Sequence, residues 1–185
     1  IEDEHFSLEH IVPEVIEVIK AYEKFGHCKI PVIAAGGLYT GEDIYRLMQL
    51  GATGVQLGSK FVTTEECDAS PVFKQAYIDA GQSDIEIITS PVGMPGRAIS
   101  GEFTRKVKSG SEKPRRCAFH CIKTCDYTKS PYCIIKALYN AAKGNMQKGY
   151  AFAGANAFLS QKIVSVRETI DTLKKEFMQA KESVK

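Results

Sequence analysis

The sequence predicts an α/β fold built on parallel strands, and three features carry that reading. Helix-like and strand-like segments alternate twice within about 50 residues, the rhythm of parallel units joined by right-handed crossovers. The run Ile30 to Ala35 is apolar without alternation, as a strand covered by helices on both faces requires. Both strand-like runs exit into glycine, at Gly36 and Gly37 and again at Gly58.

Between Leu8 and Tyr22, the residues Leu8, Ile11, Val12, Val15, Ile16, Ile19 and Tyr22 recur at three- and four-residue spacing and so share one helical face. Pro13 is expected in the first turn, where its missing N–H costs nothing. His27 and Cys28 fall in the loop after Gly26. Thr40 caps the next helix, with Asp43 at the capping-box position and Ile44, Leu47 and Met48 facing inward. Gly54 to Leu57 follows as the second strand. Ser70 and Pro71 form a cap and first-turn pair ahead of Val72, Phe73, Ala76 and Tyr77. Ile85 to Ile88 is a further short strand candidate. Thr89 to Lys113 reads as turns and a surface loop. Ser130 and Pro131 repeat the cap device before Ile134, Ile135, Leu138 and Tyr139. GYAFAGANA makes a small-residue turn, and Ser165 with Glu168 boxes a last helix. Ile163, Val166, Ile170, Leu173 and Phe177 form the inner stripe of that helix.

The 185 residues are 44% apolar and 25% charged, enough for a core of domain size and unlike a disulfide-held miniprotein. Twenty-four Lys and Arg are interspersed with 22 Asp and Glu, so the net charge of +2 gives no footing to a nucleic-acid role. No window reaches 18 apolar residues, and the opening IEDEHFSLEH is acidic, which argues against a membrane span or a secretory leader. A cytoplasmic setting is the expectation. The chain opens on Ile, so a processed product or a piece of a longer protein fits.

The two strand exits, AAGG at 34–37 and QLGS at 56–59, carry the strongest chemical signal. Ligands of parallel α/β folds bind at the carboxyl ends of strands. Glycine lets the backbone approach a phosphate, Ser59 adds a hydroxyl donor, and a helix starting there adds a favourable field. This pattern suits a phosphate monoester, although tight turns that need glycine for steric reasons account for the same residues. Neither exit is a GxGxxG or GxxxxGK[ST] phosphate loop.

The segment IPVIAAGGLYTGEDIYRLMQLGATGVQLGSKFVTTEE resembles the end of the flavin-binding barrel of the nitronate monooxygenase (2-nitropropane dioxygenase) family, which also includes flavin-dependent enoyl-acyl-carrier-protein reductases. TSPVGMPGRAI, GYAFAGANA and KIVSVRETIDTL resemble later parts of the same family. The resemblance implies the C-terminal part of an FMN-binding TIM (β/α)8 barrel with a smaller, mainly helical second domain. Residues 1–67 would hold the last βα units, 68–150 a substrate-side domain, and 151–185 a turn and helix returning to the barrel. It also implies that Gly36, Gly37, Gly58 and Ser59 hold the FMN phosphate and that Gln56 stands close to the flavin. A whole barrel needs about 250 residues, so the missing strands imply an N-terminal barrel segment or a companion chain. The implied activity is oxidation of a nitronate or nitroalkane with oxygen, incomplete in this chain alone. Alternatives are an NAD(P)H-dependent enoyl-acyl-carrier-protein reductase and a catalytically incomplete FMN-binding or structural fragment. The family's catalytic histidine lies in a GGH segment absent here, and neither His5 nor His10 inherits the role, so the catalytic residue is unknown. The family's GQ in the last turn is replaced by Ala155 and Asn156.

Six cysteines stand at 28, 67, 117, 121, 125 and 133, four of them as C-x3-C-x3-C-x7-C. A helix over 117–125 would place three thiols on one face. The spacing matches neither the C-x2-C zinc pattern nor a ferredoxin run, so no metal site is assigned, and packing thiols, redox use and metal binding stay open. Arg97, after the GMPG turn, and Lys60 are each compatible with an anion contact or with a purely structural role.

Overall fold

The structure is a computed structural model that describes residues 4–26, 28–123 and 125–183. His27 lies outside the described residues. In chain order the elements are α1 (Leu8–Gly26), β1 (Ile33–Ala35), α2 (Gly41–Gln49), β2 (Gly54–Gln56), α3 (Ser59–Val62), α4 (Pro71–Asp79), β3 (Ile85–Ile88), β4 (Gly96–Ile99), α5 (Glu102–Lys108), α6 (Ile134–Ala142) and α7 (Val166–Ser183), with short 3-10 turns between some of them. Among the described residues the four strands form two two-stranded sheets and no closed barrel. Two compact units result, one of residues 1–58 and 165–185, the other of residues 59–164. No helix among the described residues is long and apolar enough to cross a membrane.

In the first unit β1 and β2 pair in parallel, with Ile33 opposite Gly54 and Ala35 opposite Gln56. Thr53 extends the pairing: its N–H donates to the Val32 carbonyl at 2.8 Å, and its hydroxyl accepts from the Val32 N–H at 3.2 Å. Val12, Ala34, Leu47 and Ala52 make the core, flanked by Leu8, Ile16 and Val55. The expected double cover of the first strand is not what forms. Ala34 is 3% exposed while Ile33 is 55% exposed, because α1 and α2 pack on only one face. The strand also begins later than Ile30, whose N–H donates to the Glu23 carboxylate at 2.8 Å instead of to a ladder.

Thr40 and Asp43 build the expected capping box at the start of α2. The Asp43 carboxylate accepts from the N–H groups of Tyr39 and Thr40 at 2.9 and 3.0 Å and pairs with Arg46 at 3.0 Å. Burial pushes the Asp43 carboxyl up, but these hydrogen bonds and the Arg46 charge outweigh it and hold the group below its ordinary value. Helix α7 lies against α2 at very close range. A Cβ on Gly41 would fall 2.1 Å from the Leu173 carbonyl oxygen and 2.4 Å from the Phe177 nitrogen. The Gly41 N–H donates to Glu176 Oε2 at 2.7 Å, and Tyr45 meets Phe177 edge-on with ring centroids 5.5 Å apart.

Two expectations for these helices need correction. Helix α1 starts at Leu8, so Pro13 sits in its second turn and removes a donor that would have bonded the Glu9 carbonyl. On α7 the inward residues are Val166, Thr169, Leu173 and Phe177, while Ile170 is exposed. The contact with α2 selects a face rotated from the apolar stripe.

The second unit has two small cores. Tyr77, Ala80, Ile99, Ala151, Ala153 and Ala157 make one; Ile88, Ala98, Phe103, Tyr132, Ala137 and Tyr150 make the other. Strands β3 and β4 are antiparallel, with Ile85 opposite Ile99 and Ile88 opposite Gly96. Thus Thr89–Lys113 is not all loop: it contains β4 and α5, which are short and carry few apolar residues. The GYAFAGANA turn runs beside β4, where the Ile99 N–H donates to the Ala151 carbonyl and the Ala153 N–H to the Arg97 carbonyl, both at 3.0 Å. Ser70 caps α4 as expected, accepting from the Phe73 N–H at 3.3 Å. Lys74 on that helix is buried, its ammonium donating to the carbonyls of Thr64 and Glu65 at 2.6 and 3.2 Å. Ser130 does not cap α6. Cys133 occupies that position, and the Ser130 hydroxyl donates to the Asp126 carbonyl at 3.1 Å.

Gly41→Ala is expected to destabilise the protein by about 1–3 kcal/mol, the usual cost of overpacking, and to lower the midpoint of urea unfolding. Asp43→Asn tests the cap. A carboxylate with a depressed folded-state value stabilises fully above its ordinary value of 3.8 and loses that contribution as pH falls through the lower folded-state value. The stability difference between wild type and variant is therefore largest near neutrality and shrinks below pH 3.8, read from denaturant midpoints across an acid series.

Candidate functional site

The parallel register sets the geometry of the glycine exits. Because Ala35 lies opposite Gln56, the chain leaves both strands at the same end of the sheet, with Gly36 and Gly37 beside Leu57 and Gly58. The exposed face of the pair carries Ile33, Ala35 and Gln56, alternate positions of two strands whose other face is sealed by helices. Gln56 therefore presents its carboxamide on the open side of the sheet.

Gly36 and Gly37 adopt φ values of +115° and +70°, so the turn itself requires glycine there. Gly58 differs: its φ is not in the left-handed region, and a Cβ built on it meets nothing within 4 Å. Neither backbone conformation nor packing among the described residues demands a glycine at 58. Such a position gives a ligand direct access to the main chain, which is the property a phosphate cradle needs.

Ser59 is the first residue of the second unit. Its hydroxyl accepts from the Gly154 N–H at 2.8 Å, leaving its own proton available to an acceptor. The GYAFAGANA turn thus fixes the Ser59 rotamer, a relation that sequence spacing over 95 positions gave no means to see. Helix α3, which starts at Ser59, has only four residues, so the favourable helix field expected there is small. Lys60 belongs to this short helix, and Arg97 stands on β4 opposite Ile87.

The remaining polar candidates lie elsewhere. His5 is in the 3-10 turn Glu4–Phe6, and His10 is on α1 with Nδ1 2.9 Å from the Ser7 hydroxyl; both are exposed. In the second unit, the Tyr132 and Tyr150 hydroxyls are 3.1 Å apart, and Tyr132 donates to the Thr89 carbonyl at 3.3 Å. Burial raises both phenols above their ordinary value. Burial likewise raises Tyr77, which donates to the Phe152 carbonyl. Of these, only Tyr77 stands out in the sequence, as part of an apolar stripe; Tyr132 and Tyr150, 18 positions apart, carry no local signal of a shared polar contact.

None of the described residues between Cys117 and Cys125 is helical, so the expected shared helical face does not form among them. All six cysteines are free thiols. As placed, the described residues contain no group of three His, Cys, Asp or Glu side chains tight enough to hold a metal ion.

Comparison with known proteins gives these features a setting. The family described as nitronate monooxygenase matches residues 1–176. A probable nitronate monooxygenase of Staphylococcus saprophyticus is 35% identical over 97 residues, which cover 52% of this chain and 25% of that protein. A Mycobacterium tuberculosis protein named (3aS,4S,5R,7aS)-5-hydroxy-7a-methyl-1-oxo-octahydro-1H-indene-4-carboxyl-CoA dehydrogenase is 37% identical over 82 residues, covering 44% of this chain and 23% of its own. The structure of FabK from Thermotoga maritima superposes with a TM-score of 0.73 at 26% identity, covering 96% of this chain and 51% of that one. A nitroalkane oxidase from Streptomyces ansochromogenes shares the fold, with a TM-score of 0.69 at 21% identity over 97% of this chain and 46% of that one. The chain spans about a quarter of the length of these curated relatives and about half of the solved chains.

The two kinds of glycine separate in a stability experiment. Gly36→Ala is expected to cost about 1–2 kcal/mol from left-handed backbone strain. Gly58→Ala should leave the unfolding midpoint unchanged within about 0.5 kcal/mol, the usual range for a surface substitution that meets no special feature.

Proposed function

The chain belongs to the nitronate monooxygenase family, and from that premise we propose that it supplies the FMN phosphate site of a flavin-dependent oxidoreductase. The observation that carries this reading is Gly58, a glycine whose freedom the described chain does not use, set beside Gly36 and Gly37 by the parallel register. The backbone amides of Gly36, Gly37 and Gly58 would hold the phosphate, with the Ser59 hydroxyl, next in the chain, donating to it. Main-chain N–H donors suit a phosphate because they hold a fixed direction and pay no side-chain entropy on binding. Gln56 would face the flavin from the open side of the sheet. When bound, FMN supplies the redox chemistry, while the protein orients substrate and shields it.

In this reading β1 and β2 are the last strands of a TIM barrel. Residues 1–67 would carry its final βα units, 68–150 a smaller substrate-side domain, and 151–185 the return to the barrel. Exposed Ile30 and Ile33 then cover the barrel interior once the remaining strands, from an N-terminal segment or a companion chain, are paired. The group that manages the acidic carbon of a nitroalkane would lie on those strands, and no residue of this chain is assigned as catalytic.

The substrate we propose is a nitronate or nitroalkane, with oxygen as acceptor, in a cytoplasmic setting. A second reading, reduction of an enoyl thioester with NAD(P)H, is favoured by the similarity to the Mycobacterium tuberculosis protein, whose name is that of a carboxyl-CoA dehydrogenase. Oxygen uptake with ethyl nitronate and no nicotinamide supports the first; oxidation of NADH or NADPH dependent on crotonyl-CoA supports the second. Stoichiometric FMN with neither activity in the complete assembly leaves a binding fragment.

Gly58→Val tests the phosphate site directly. Its side chain enters the space left by the glycine, so FMN affinity should fall about 100-fold, some 2.7 kcal/mol, while the unfolding midpoint stays near wild type. Unchanged FMN titration in this variant overturns the assignment.

A further inference from the structure

We propose that Cys117, Cys121, Cys125 and Cys133 form a four-thiolate site for a thiophilic metal. All four line one cavity of about 20 Å³, together with Arg116 and Tyr132, although 16 positions separate the first from the last. Three are half-buried and Cys121 is exposed. Thiols that serve as packing groups are usually fully buried, and none of these four is.

The surrounding described chain is ordered only by local turns, such as the one around Asp126, and by the burial of Tyr132. Between the end of α5 at Lys108 and the start of α6 at Ile134 the described residues contain no helix or strand, and loops longer than about 12–15 residues without secondary structure are uncommon in compact domains. Four protein–metal bonds would add to that order, as ligation and folding are coupled in small metal sites.

Local geometry and charge agree with this role. His120, at φ +44°, is the only non-glycine with positive φ among the described residues. That turn aims its N–H at Cys117 Sγ, 3.3 Å away, and so fixes the direction in which this sulfur faces. A divalent ion on four thiolates leaves two net negative charges. Residues 111–133 carry Lys113, Arg115, Arg116, Lys123 and Lys129 against Glu112 and Asp126, an excess of the opposite sign. The sulfurs as placed are not yet within one coordination sphere, so binding draws the loop inward and releases the thiol protons.

The test is metal and sulfide analysis of the protein purified anaerobically without tag or chelator, together with its co-purifying partner if it has one. One zinc per chain supports a mononuclear site; iron with matching acid-labile sulfide supports the same ligand set holding a cluster. In either case Cys28 and Cys67 react with a thiol reagent at once, and the other four only after chelation. Cys121→Ser and Cys133→Ser each reduce the metal to near zero, whereas Cys67→Ser retains it. Should those variants fail to fold, cobalt added to the metal-free wild type gives intense thiolate charge-transfer absorption in the near ultraviolet. Six reactive thiols with no metal and no cobalt band, a disulfide among the four, or metal content indifferent to Cys121→Ser and Cys133→Ser overturns the proposal.

Discussion

The parallel pairing of two three-residue strands is the constraint on which the candidate site depends. With Ala35 opposite Gln56, both strands must end on the same side, and the glycine turns beyond them become neighbours. Parallel pairing also demands a crossover, which α2 provides, and α2 is what buries Leu47 against Ala34, Val12 and Ala52. A one-residue slip would reverse the faces, exposing Ala34 and turning Gln56 toward the helices. The small core and the placement of Gln56 therefore enforce one another.

The first unit is made of two stretches far apart in sequence, and the contact that joins them is a main-chain approach. Gly41 lets α7 come so near α2 that any Cβ would strike the backbone at Leu173 and Phe177. Glu176 then takes the Gly41 N–H, one of the donors a helix start leaves unsatisfied. In the second unit polar groups do comparable work: buried Lys74 satisfies two loop carbonyls, and Ser59 receives the Gly154 N–H. Buried donors and acceptors matched in this way hold irregular segments that have little apolar surface to bury.

Local signals were legible where their physics is local. Thr40 with Asp43 and Ser70 with Pro71 are caps closed within four residues, and both form as the spacing indicates. Ser130 with Pro131 carries the same signal, yet helix α6 begins at Ile134 because Ser130 bonds back to Asp126 instead. Pro13 looked like a helix start for the same reason, but the turns around it outweigh one lost donor. Strand β4 and helix α5 escaped notice because Gly96 to Ile99 and Glu102 to Lys108 contain few apolar residues; their stability comes from partners, β3 and the Tyr132–Tyr150 cluster, that only the folded chain brings near.

By itself the sequence determined the α/β character, the family and the two glycine exits, because periodicity, caps and strand-terminal glycines are encoded within a few residues of one another. The tertiary structure decided which glycines the chain needs for its own fold and which it does not, separating Gly36 and Gly37 from Gly58. It also decided that one face of the β1–β2 pair stays open and that four cysteines spread over a loop meet at one cavity. Those facts depend on φ angles, on packing and on contacts across many residues, and linear spacing carries no measure of any of them.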